Sequence, residues 1–303
     1  MDEIVVEVND LIKIYGDVTA LDKVNFDVRQ GEIYGILGPN GAGKTSTLEC
    51  LEGLREPDSG SLQVAGINPT SDFRKLRNII GVQLQSAGLP ESITPDEALR
   101  IFSAYHGVES RLDLLDRFGL SEKRHAQYFE LSAGQQRRLT LALALAHDPQ
   151  IIFMDEPTAG LDVATRIELH DIMRELKMDG RTIILATHDM AEAEQMADRV
   201  AILLQGKIVK IGTPMDITAT GAGLTKISVR TQNNSLSGMN IPEVKGQTLK
   251  DEYYIYFSSN IGTSISAIIS HIETNKDLLI DLRVQRPSLE DRFLEITGKE
   301  VQS

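Results

Sequence analysis

The residues best suited to chemistry form a glycine-rich segment, GPNGAGKT, at positions 38–45. Its glycines would let backbone N–H groups turn towards phosphate oxygens, and the helix that follows would present its positive N-terminal end to the same anion. Lys44 would reach the terminal phosphates, and the Thr45 hydroxyl would coordinate Mg²⁺. A glycine-rich turn with an incidental lysine is the alternative, but the apolar strand before the segment and the helical pattern after it favour a nucleotide site. The predicted nucleotide-binding residues of this segment are Gly38, Pro39, Asn40, Gly41, Ala42, Gly43, Lys44, Thr45 and Ser46.

A second segment, IIFMDE at positions 151–156, supplies carboxylates at the end of an apolar strand. Asp155 is placed to hold Mg²⁺, commonly through water molecules. Glu156 beside it is a candidate general base for an attacking water molecule. Taken alone, Glu156 could be an acid that starts a helix ahead of Pro157. The phosphate-binding segment makes nucleotide hydrolysis the better interpretation.

Short apolar runs bounded by polar residues predict the buried parallel strands that position these groups. Such runs lie at 33–38, 151–156 and 182–189, and a helical pattern at 163–178 joins the last two in a β-α-β unit. The interval 94–145 is mostly helical in pattern and begins with Thr-Pro-Asp-Glu, which suits a helix N-terminus. The predicted fold class is therefore α/β. The other predicted elements are strands at 4–8, 24–28 and 61–66, a helix at 44–54, and a hairpin of strands 200–204 and 207–211 around Gln205-Gly206.

Composition argues against several classes of protein. The 303 residues include 44 acidic and 31 basic side chains, a net charge of −13, which disfavours binding to nucleic acid or to an anionic membrane surface. The single cysteine, Cys50, excludes an intramolecular disulfide framework, and we expect it to pack as a small buried apolar residue. The longest apolar run, at 139–146, is shorter than the roughly 18 residues that span a bilayer, and no signal peptide is visible. We therefore expect a soluble, cytoplasmic protein.

The C-terminal part of the chain has a different character. A small, polar, glycine-containing segment at 218–225 predicts a linker. Beyond it, the strand patterns KISVRT, YYIYF and LLIDLRV and two amphipathic helices, near 263–274 and 288–297, are typical of a small α+β unit. The predicted domains are 1–217, with a helical subdomain at about 90–147, and 222–303.

The segment LSAGQQRR, at 131–138, lies between the phosphate-binding segment and the carboxylate segment, and it resembles the signature motif of ABC-type ATPases. Tyr15 looks like that family's adenine-stacking aromatic residue, and Gln85 in IGVQLQS looks like its Q-loop glutamine, which contacts Mg²⁺ or the attacking water. His188 in LATHD looks like its switch histidine. The resemblance covers about residues 3–214 and implies a P-loop NTPase fold, with a RecA-like core, an antiparallel β-subdomain and a helical subdomain. The matching signature residues are Leu131, Ser132, Ala133, Gly134 and Gln135, and the matching D-loop residues are Gly160, Leu161 and Asp162.

Several of these assignments have a plainer alternative. Tyr15 could be an ordinary surface tyrosine, Gln85 an ordinary polar loop residue, and His188 a hydrogen-bonded core histidine. In each case the position of the residue in its motif favours the family role. The charged run EAEQMADR, at 192–199, is expected to form a solvated helix face.

Two residues depart from the family pattern. Ala133 stands where the signature usually has glycine, and its methyl group is expected to fit because the motif acts through backbone N–H groups and the Ser132 hydroxyl. Ala159 stands where the D-loop usually has serine, so one hydroxyl is lost there.

The C-terminal sequence RPSLEDRFLEITGK is similar to the corresponding segment of ABC-2-type drug, antibiotic and lipid exporter ATPases. The resemblance therefore implies an ATP-hydrolysing subunit of a membrane exporter that acts through a separate permease on the cytoplasmic face of the membrane. Two copies would form a head-to-tail sandwich, with Ser132 and Gly134 of one copy facing Lys44 and Glu156 of the other. The implied cofactor of the ATP substrate is Mg²⁺, and no nucleic acid is implied. The implied catalytic residues are Glu156, His188, Lys44 and Gln85, and the implied metal ligands are Thr45, Gln85 and Asp155.

A soluble ABC ATPase that acts in translation, DNA repair or iron–sulfur cluster assembly is the alternative function. Translation-type members usually carry two nucleotide domains, and this chain has one copy of each motif. Repair-type members have long coiled-coil insertions, for which the interval 85–131 is too short. The iron–sulfur type would leave the C-terminal extension unexplained, so export is the favoured interpretation.

Overall fold

The computed structural model describes residues 3–83, 88–219 and 224–297. The chain divides into two compact units, Met1–Thr213 and Pro214–Ser303. No helix in the described part of the chain is both long enough and apolar enough to span a membrane.

The first unit begins with a three-stranded antiparallel sheet. Its strands are β1 (Ile4–Tyr15), β2 (Val18–Arg29) and β4 (Ser59–Val64), in the order β2-β1-β4. The first two strands are 12 residues long and extend beyond the predicted segments 4–8 and 24–28. Exposed side chains interrupt the apolar pattern of β1 and β2, so the sequence predicted only parts of these strands. The longer β1 places Tyr15 at its end.

A six-stranded sheet forms the centre of the first unit. Its strands are β3 (Ile33–Leu37), β5 (Ile80–Gln83), β6 (Ile151–Asp155), β7 (Thr182–Thr187), β8 (Arg199–Leu204) and β9 (Lys207–Gly212). They lie in the order β5-β6-β7-β3-β8-β9, and all pairings are parallel except the predicted β8–β9 hairpin. Gln205 and Gly206 form the hairpin turn with φ angles of 48° and 77°, which fits the left-handed backbone of a two-residue hairpin loop. The predicted α/β fold is confirmed.

The helices of the first unit follow the predicted pattern with one main difference. They are α1 (Lys44–Leu51), α2 (Phe73–Leu76), α3 (Pro95–His106), α4 (Asp113–Arg117), α5 (Ala133–Ala144), α6 (Val163–Met178) and α7 (Met190–Met196), with 3₁₀ turns at Ser121–Lys123 and Tyr128–Glu130. The mostly helical interval 94–145 is thus several short elements, and the left-handed Gly107 and Gly119 follow the ends of α3 and α4. Capping boxes at Thr94 and Ser132 fix the starts of α3 and α5.

Two apolar cores lie on opposite faces of the six-stranded sheet, because successive strand residues point to opposite faces. Phe153 and Ile184 pack with α1 and the three-stranded sheet, whereas Ile152 and Ile183 pack with residues of α3 to α6. Cys50 belongs to the first of these cores, as predicted, and burial raises the pKa of its thiol to about 11. The strands of the central sheet, including β6 and β7, are therefore held between two packed apolar layers.

The second unit is a four-stranded antiparallel sheet with helices. Its strands are β10 (Thr225–Thr231), β11 (Val244–Lys250), β12 (Tyr253–Ser258) and β13 (Leu279–Gln285), in the order β11-β12-β10-β13, and its helices are α8 (Pro214–Ala219), α9 (Ile261–Thr274) and α10 (Leu289–Thr297). Ile268 and Ile272 of α9 pack with Ile227, Val229 and Tyr256 of the sheet. The sequence did not predict β11, because most of its residues are exposed and carry no apolar alternation.

The structural division between the units differs by a few residues from the predicted boundary at 217. Helix α8 packs against α10 and belongs to the second unit, with Ile217 fully buried. The predicted linker at 218–225 falls within the second unit, and residues 220–223 of it lie outside the described part of the chain.

Candidate active site

The phosphate-binding segment connects the buried strand β3 to α1. Gly43 is the N-cap of α1 with a φ of 107°, a backbone conformation that glycine adopts without strain. A Cβ at Gly43 would lie 2.6 Å from the Ala20 carbonyl oxygen, and one at Gly38 would lie 2.3 Å from the Leu203 carbonyl oxygen. Close backbone packing therefore requires glycine at positions 38 and 43.

Lys44 points its ammonium group back along this loop. Its Nζ donates to the carbonyl oxygens of Gly38 at 2.9 Å and of Pro39 at 3.3 Å, and lies 3.3 Å from Glu156 Oε1. The side chain is 6% exposed. The buried Lys44 ammonium is thus held against the phosphate-binding loop, whose backbone N–H groups are suited to binding an anion.

Thr45 and Asp155 meet across the end of β6. The Thr45 hydroxyl donates to Asp155 Oδ2 at 2.9 Å. Asp155 Oδ1 is buried and has no hydrogen-bond partner among the described residues. Burial raises the pKa of Asp155, the Thr45 hydrogen bond opposes that effect, and the negative charge of Glu156 adds to it. This buried, incompletely paired carboxylate is suited to a hard divalent cation.

Glu156 directly follows β6 and has an unusual backbone, with a φ of 48°. Its N–H donates to the Ala186 carbonyl oxygen of β7 at 2.9 Å. His188 Nδ1 lies 2.7 Å from Glu156 Oε2, and the contact requires the hydrogen on Nδ1 when the carboxylate is ionised. The two carboxylate oxygens therefore face different partners, Lys44 on one side and His188 on the other.

Lys44, Thr45, Glu156 and His188 line one cavity of about 380 Å³, and Asp155 is linked to it through its hydrogen bond with Thr45. The cavity brings together side chains from β1, the phosphate-binding loop, the segment after β6 and the segment after β7. Tyr15 lies at the edge of the cavity and is 39% exposed, and Lys13 Nζ lies 5.4 Å from the centroid of its ring. The lining residues are Tyr15, Ala20, Asn40, Gly41, Gly43, Lys44, Thr45, Ser46, Glu156, Ala159 and His188.

The signature residues occupy a different place. Among the described residues, none of Leu131 to Gln135 lines this cavity. Ser132 is the N-cap of α5, and its hydroxyl accepts a hydrogen bond from the Gln135 N–H. Ala133 is exposed, so its methyl group does not have to fit into a packed interior at this departure from the family pattern. Gly134 is buried against α6, where a Cβ would lie 2.3 Å from Thr165 Cγ2.

The D-loop residues lead into α6. Gly160 has a φ of 76°, and Asp162 is the N-cap of α6. Asp162 accepts hydrogen bonds from the Thr165 N–H at 3.1 Å and hydroxyl at 2.7 Å, and these bonds lower the pKa of its carboxyl. Leu161 packs against the core on the helical side of the sheet. Gln85, the predicted Q-loop glutamine, lies outside the described residues.

Comparison with known proteins places this geometry in a family. The ABC transporter family model matches residues 21–159. The Nod factor export ATP-binding protein I of Rhizobium etli is 34% identical over 98% of this chain and 94% of its own length. The chain belongs to the ABC transporter family. The linearmycin resistance ATP-binding protein LnrL of Bacillus subtilis is 31% identical over 95% of this chain and 96% of its own length. This ABC ATPase therefore groups with ATP-binding proteins of ABC-2-type exporters, as the C-terminal sequence predicted.

Solved structures of ABC ATP-binding subunits share the fold. The structure described as the ATP-binding subunit of an ABC transporter has a TM-score of 0.65 and 30% identity, over 71% of this chain and 92% of its own. The dimeric cassette MJ0796 bound to ADP and Pi has a TM-score of 0.62 and 29% identity, over 69% of this chain and 98% of its own. ABC ATPases of this kind hydrolyse ATP to drive transport, and their cassettes form dimers. The export relatives favour the transport function over the non-transport alternative.

The sequence prediction for 192–199 was wrong. Helix α7 ends at Met196, β8 begins at Arg199, and Glu192 is 2% exposed. Glu192 Oε1 accepts from the Thr158 hydroxyl at 2.7 Å and lies 3.2 Å from His170 Nε2. Because the apolar Ala193 and Met196 share the buried side of this short helix, their spacing was the available signal that the segment is not a solvated face.

Proposed function

We propose that this ABC ATPase binds and hydrolyses ATP in the cavity of its first unit and thereby drives export through a separate membrane permease. The observation that carries the proposal is the convergence of Lys44, Thr45, Asp155, Glu156 and His188 on one site. Full-length similarity to ATP-binding proteins named for Nod factor export, daunorubicin resistance and linearmycin resistance supports an exported cargo. In this proposal the permease holds the ATPase at the cytoplasmic face of the membrane.

The phosphate-binding loop and Lys44 would bind the triphosphate. The loop N–H groups and the N-terminus of α1 complement the negative charge of the phosphates. Because the Gly38 and Pro39 carbonyl groups already hold the Lys44 ammonium, little side-chain entropy is lost when phosphate oxygens bind it. Tyr15, at the cavity edge, is assigned the stacking contact with adenine.

Thr45 and Asp155 would hold Mg²⁺. The fit rests on the unpartnered Asp155 Oδ1 and on the Thr45 hydroxyl beside Oδ2, which together offer the oxygen ligands that Mg²⁺ requires. Gln85 is assigned a further contact by resemblance alone. When bound, Mg²⁺ would neutralise charge on the phosphate oxygens during phosphoryl transfer.

Glu156 would act as the general base. It would take a proton from water as the water oxygen bonds to the γ-phosphorus and the bond to the ADP oxygen breaks. His188 fixes Oε2, so Oε1 remains available as the proton acceptor beside Lys44. His188 is itself 54% exposed and lines the cavity, so its other ring edge is available to the γ-phosphate.

The signature residues would complete the site of a second copy of the chain. Ser132 and Gly134 lie on α5 and do not line the cavity, which supports a head-to-tail dimer with composite sites. Ser132→Arg chains mixed with Glu156→Gln chains should recover ATPase activity above either parent, because one site of the mixed dimer has wild-type residues throughout. A wild-type chain mixed with Glu156→Gln is the control, since it also keeps one intact site. Activity in that control but not in the complementing mixture would reject the composite site.

The export proposal is tested with the membrane partner. The tagged chain is purified from detergent-solubilised membranes, a co-purifying multispanning protein is identified by mass spectrometry, and the pair is reconstituted in liposomes. We expect the permease to change the Mg²⁺-dependent ATPase rate, and the Lys44→Ala chain to bind the permease without ATPase activity. A chain that hydrolyses ATP but never associates with a multispanning protein would contradict the export function and leave the ATPase assignment intact.

A further inference from the structure

A buried polar cluster lies next to the proposed catalytic residues but is not part of them. The Glu192 side chain is fully buried in the first turn of α7. Its Oε1 accepts a hydrogen bond from the Thr158 hydroxyl at 2.7 Å and faces His170 Nε2 at 3.2 Å. Thr158 and His170 are each 3% exposed. Glu192 Oε2 is also buried and has no hydrogen-bond partner within the described residues.

The cluster joins three segments that carry the chemistry. Thr158 lies between Glu156 and the D-loop, His170 lies on the helix that Asp162 begins, and Glu192 lies one turn after His188. A displacement of any one segment must therefore break a buried hydrogen bond or move the other two.

A second polar contact also joins α6 to the start of α7. Arg166, one turn before His170 on α6, donates to Asp189 Oδ2 at 3.1 Å. Asp189 is the N-cap of α7, and its Oδ1 accepts from the Glu192 N–H at 3.0 Å. The His170–Glu192 and Arg166–Asp189 contacts join successive turns of α6 to the start of α7. Together they fix the rotation of α7 as well as its distance from α6.

The local sequence shows why Glu192 points inward. A glutamate at the third position of a helix commonly turns back to accept the N-cap N–H. Here the Asp189 N–H donates to the Thr187 hydroxyl at 3.0 Å instead. The Glu192 carboxylate is thus free to reach Thr158 and His170. Burial of a carboxylate is costly, and apolar side chains would pack the same helices at lower cost. The polar cluster therefore supplies directed contacts rather than simple packing.

We propose that Glu192 is a positioning residue for ATP hydrolysis, which holds the His188 segment and the D-loop segment in a fixed geometry around Glu156. The proposal rests on the assigned roles of Glu156 and His188. Through its hydrogen bond with Thr158, Glu192 sets the path of the chain just after Glu156. Through His170 and α7, Glu192 sets the position at which His188 contacts the Glu156 carboxylate.

The test compares four variants of the full chain by ATPase kinetics, fluorescent ATP binding and thermal melting. Glu192→Ala removes both hydrogen bonds, and we expect kcat to fall roughly ten- to a hundredfold, because small misplacements of catalytic groups have effects of that size. ATP affinity should change little, because the phosphate-binding loop is not touched. Glu192→Gln keeps an acceptor for Thr158 and should restore most of kcat. Gln195→Ala, an exposed position on the same helix, is the matched control and should behave as wild type.

Thr158→Val is the fourth variant, which removes only one hydroxyl and tests the proposal if Glu192→Ala does not fold. A lower kcat with unchanged ATP affinity in Thr158→Val supports the positioning role. Wild-type kcat in a folded Glu192→Ala chain overturns it, and so does wild-type kcat in Thr158→Val when Glu192→Ala is unfolded. An equal loss of ATP affinity and kcat in both variants also overturns it, since that marks general destabilisation. Failure of the catalytic assignment itself is distinguishable, because Glu156→Gln would then keep its turnover.

Discussion

Replacing Glu156 with glutamine changes the proposed base while preserving its shape. In the structure the carboxylate faces Lys44 Nζ at 3.3 Å through Oε1 and His188 Nδ1 at 2.7 Å through Oε2. The amide oxygen of glutamine can keep the His188 contact, but its NH₂ group then faces the Lys44 ammonium as a second donor, so the ion pair is lost. The side chain keeps the shape of glutamate but cannot accept the proton of water.

The expected effect on turnover follows from general base catalysis, which contributes about 10²–10⁴-fold to rate. That range corresponds to about 2.7–5.4 kcal/mol of lost transition-state stabilisation. ATP binding should be retained, because the Gly38 and Pro39 carbonyl groups still hold Lys44 and a negative charge near the phosphates is removed. The variant should accumulate as an ATP-bound dimer.

The assay is phosphate release at saturating Mg²⁺-ATP, with size-exclusion chromatography to follow the dimer. Glu122→Gln is the matched control, because it makes the same chemical change at an exposed position. Turnover by Glu156→Gln within about threefold of wild type would refute the base assignment, since a lost general base costs far more. Loss of ATP binding would instead refute the argument that Lys44 is held independently of Glu156.

Four further predictions address the loop, the signature helix, a buried acid and the division between the units. Lys44→Ala should lower ATP affinity and cost about 2.7–4 kcal/mol in the transition state, measured by ATP binding and phosphate release; normal values for both would contradict the role of the loop. Gly134→Ala should destabilise the chain by about 1–3 kcal/mol, because the new Cβ would lie 2.3 Å from Thr165 Cγ2. Thr165→Ser removes that methyl group but leaves the hydroxyl oxygen and Cβ at 3.1 and 3.3 Å, so the double variant should recover part of the lost melting temperature. Burial, followed by the charges of neighbouring acids, raises the pKa of Glu52 to about 8. Its protonated form is favoured in the folded state, so the contribution of this carboxyl to stability is complete below its ordinary pKa of 4.5 and is lost as pH rises from there through 8. Glu52→Gln should therefore gain melting temperature relative to wild type as pH rises over that range in metal-free buffer. A chain ending at Thr213 should fold and bind ATP, measured by circular dichroism and fluorescent ATP binding, and global unfolding would show that the first unit is not independent.

The central sheet could be predicted from sequence because burial on both faces leaves continuous apolar runs. The segments 151–156 and 182–189 are of this kind, and the site residues Glu156 and His188 lie near their C-terminal ends. Strands with one exposed face were harder, as β11 and the outer parts of β1 show. Their side-chain pattern is set by neighbouring strands that the local sequence does not reveal.

The candidate site followed the same rule. Lys44, Thr45 and Asp155 were predictable because short motifs fix both their identity and their local backbone. Glu192 was not, because a carboxylate in a charged run looks the same whether it faces water or a helix distant in sequence. Its burial depends on His170 of α6 and on Thr158, and neither contact is visible in the sequence of α7.

The backbone of Glu156 shows how these distant contacts bear on the chemistry. A residue before proline favours an extended backbone, yet Glu156 precedes Pro157 and has a φ of 48°. Such a conformation costs about 1–3 kcal/mol and persists only where surrounding structure determines it. The Ala186 carbonyl holds the Glu156 N–H on one side, and the Thr158 hydroxyl is tied to Glu192 just beyond the turn. The direction of the proposed base is therefore set by β7 and α7 rather than by its own conformational preference. This is why residues outside the nucleotide cavity are expected to govern the rate of hydrolysis.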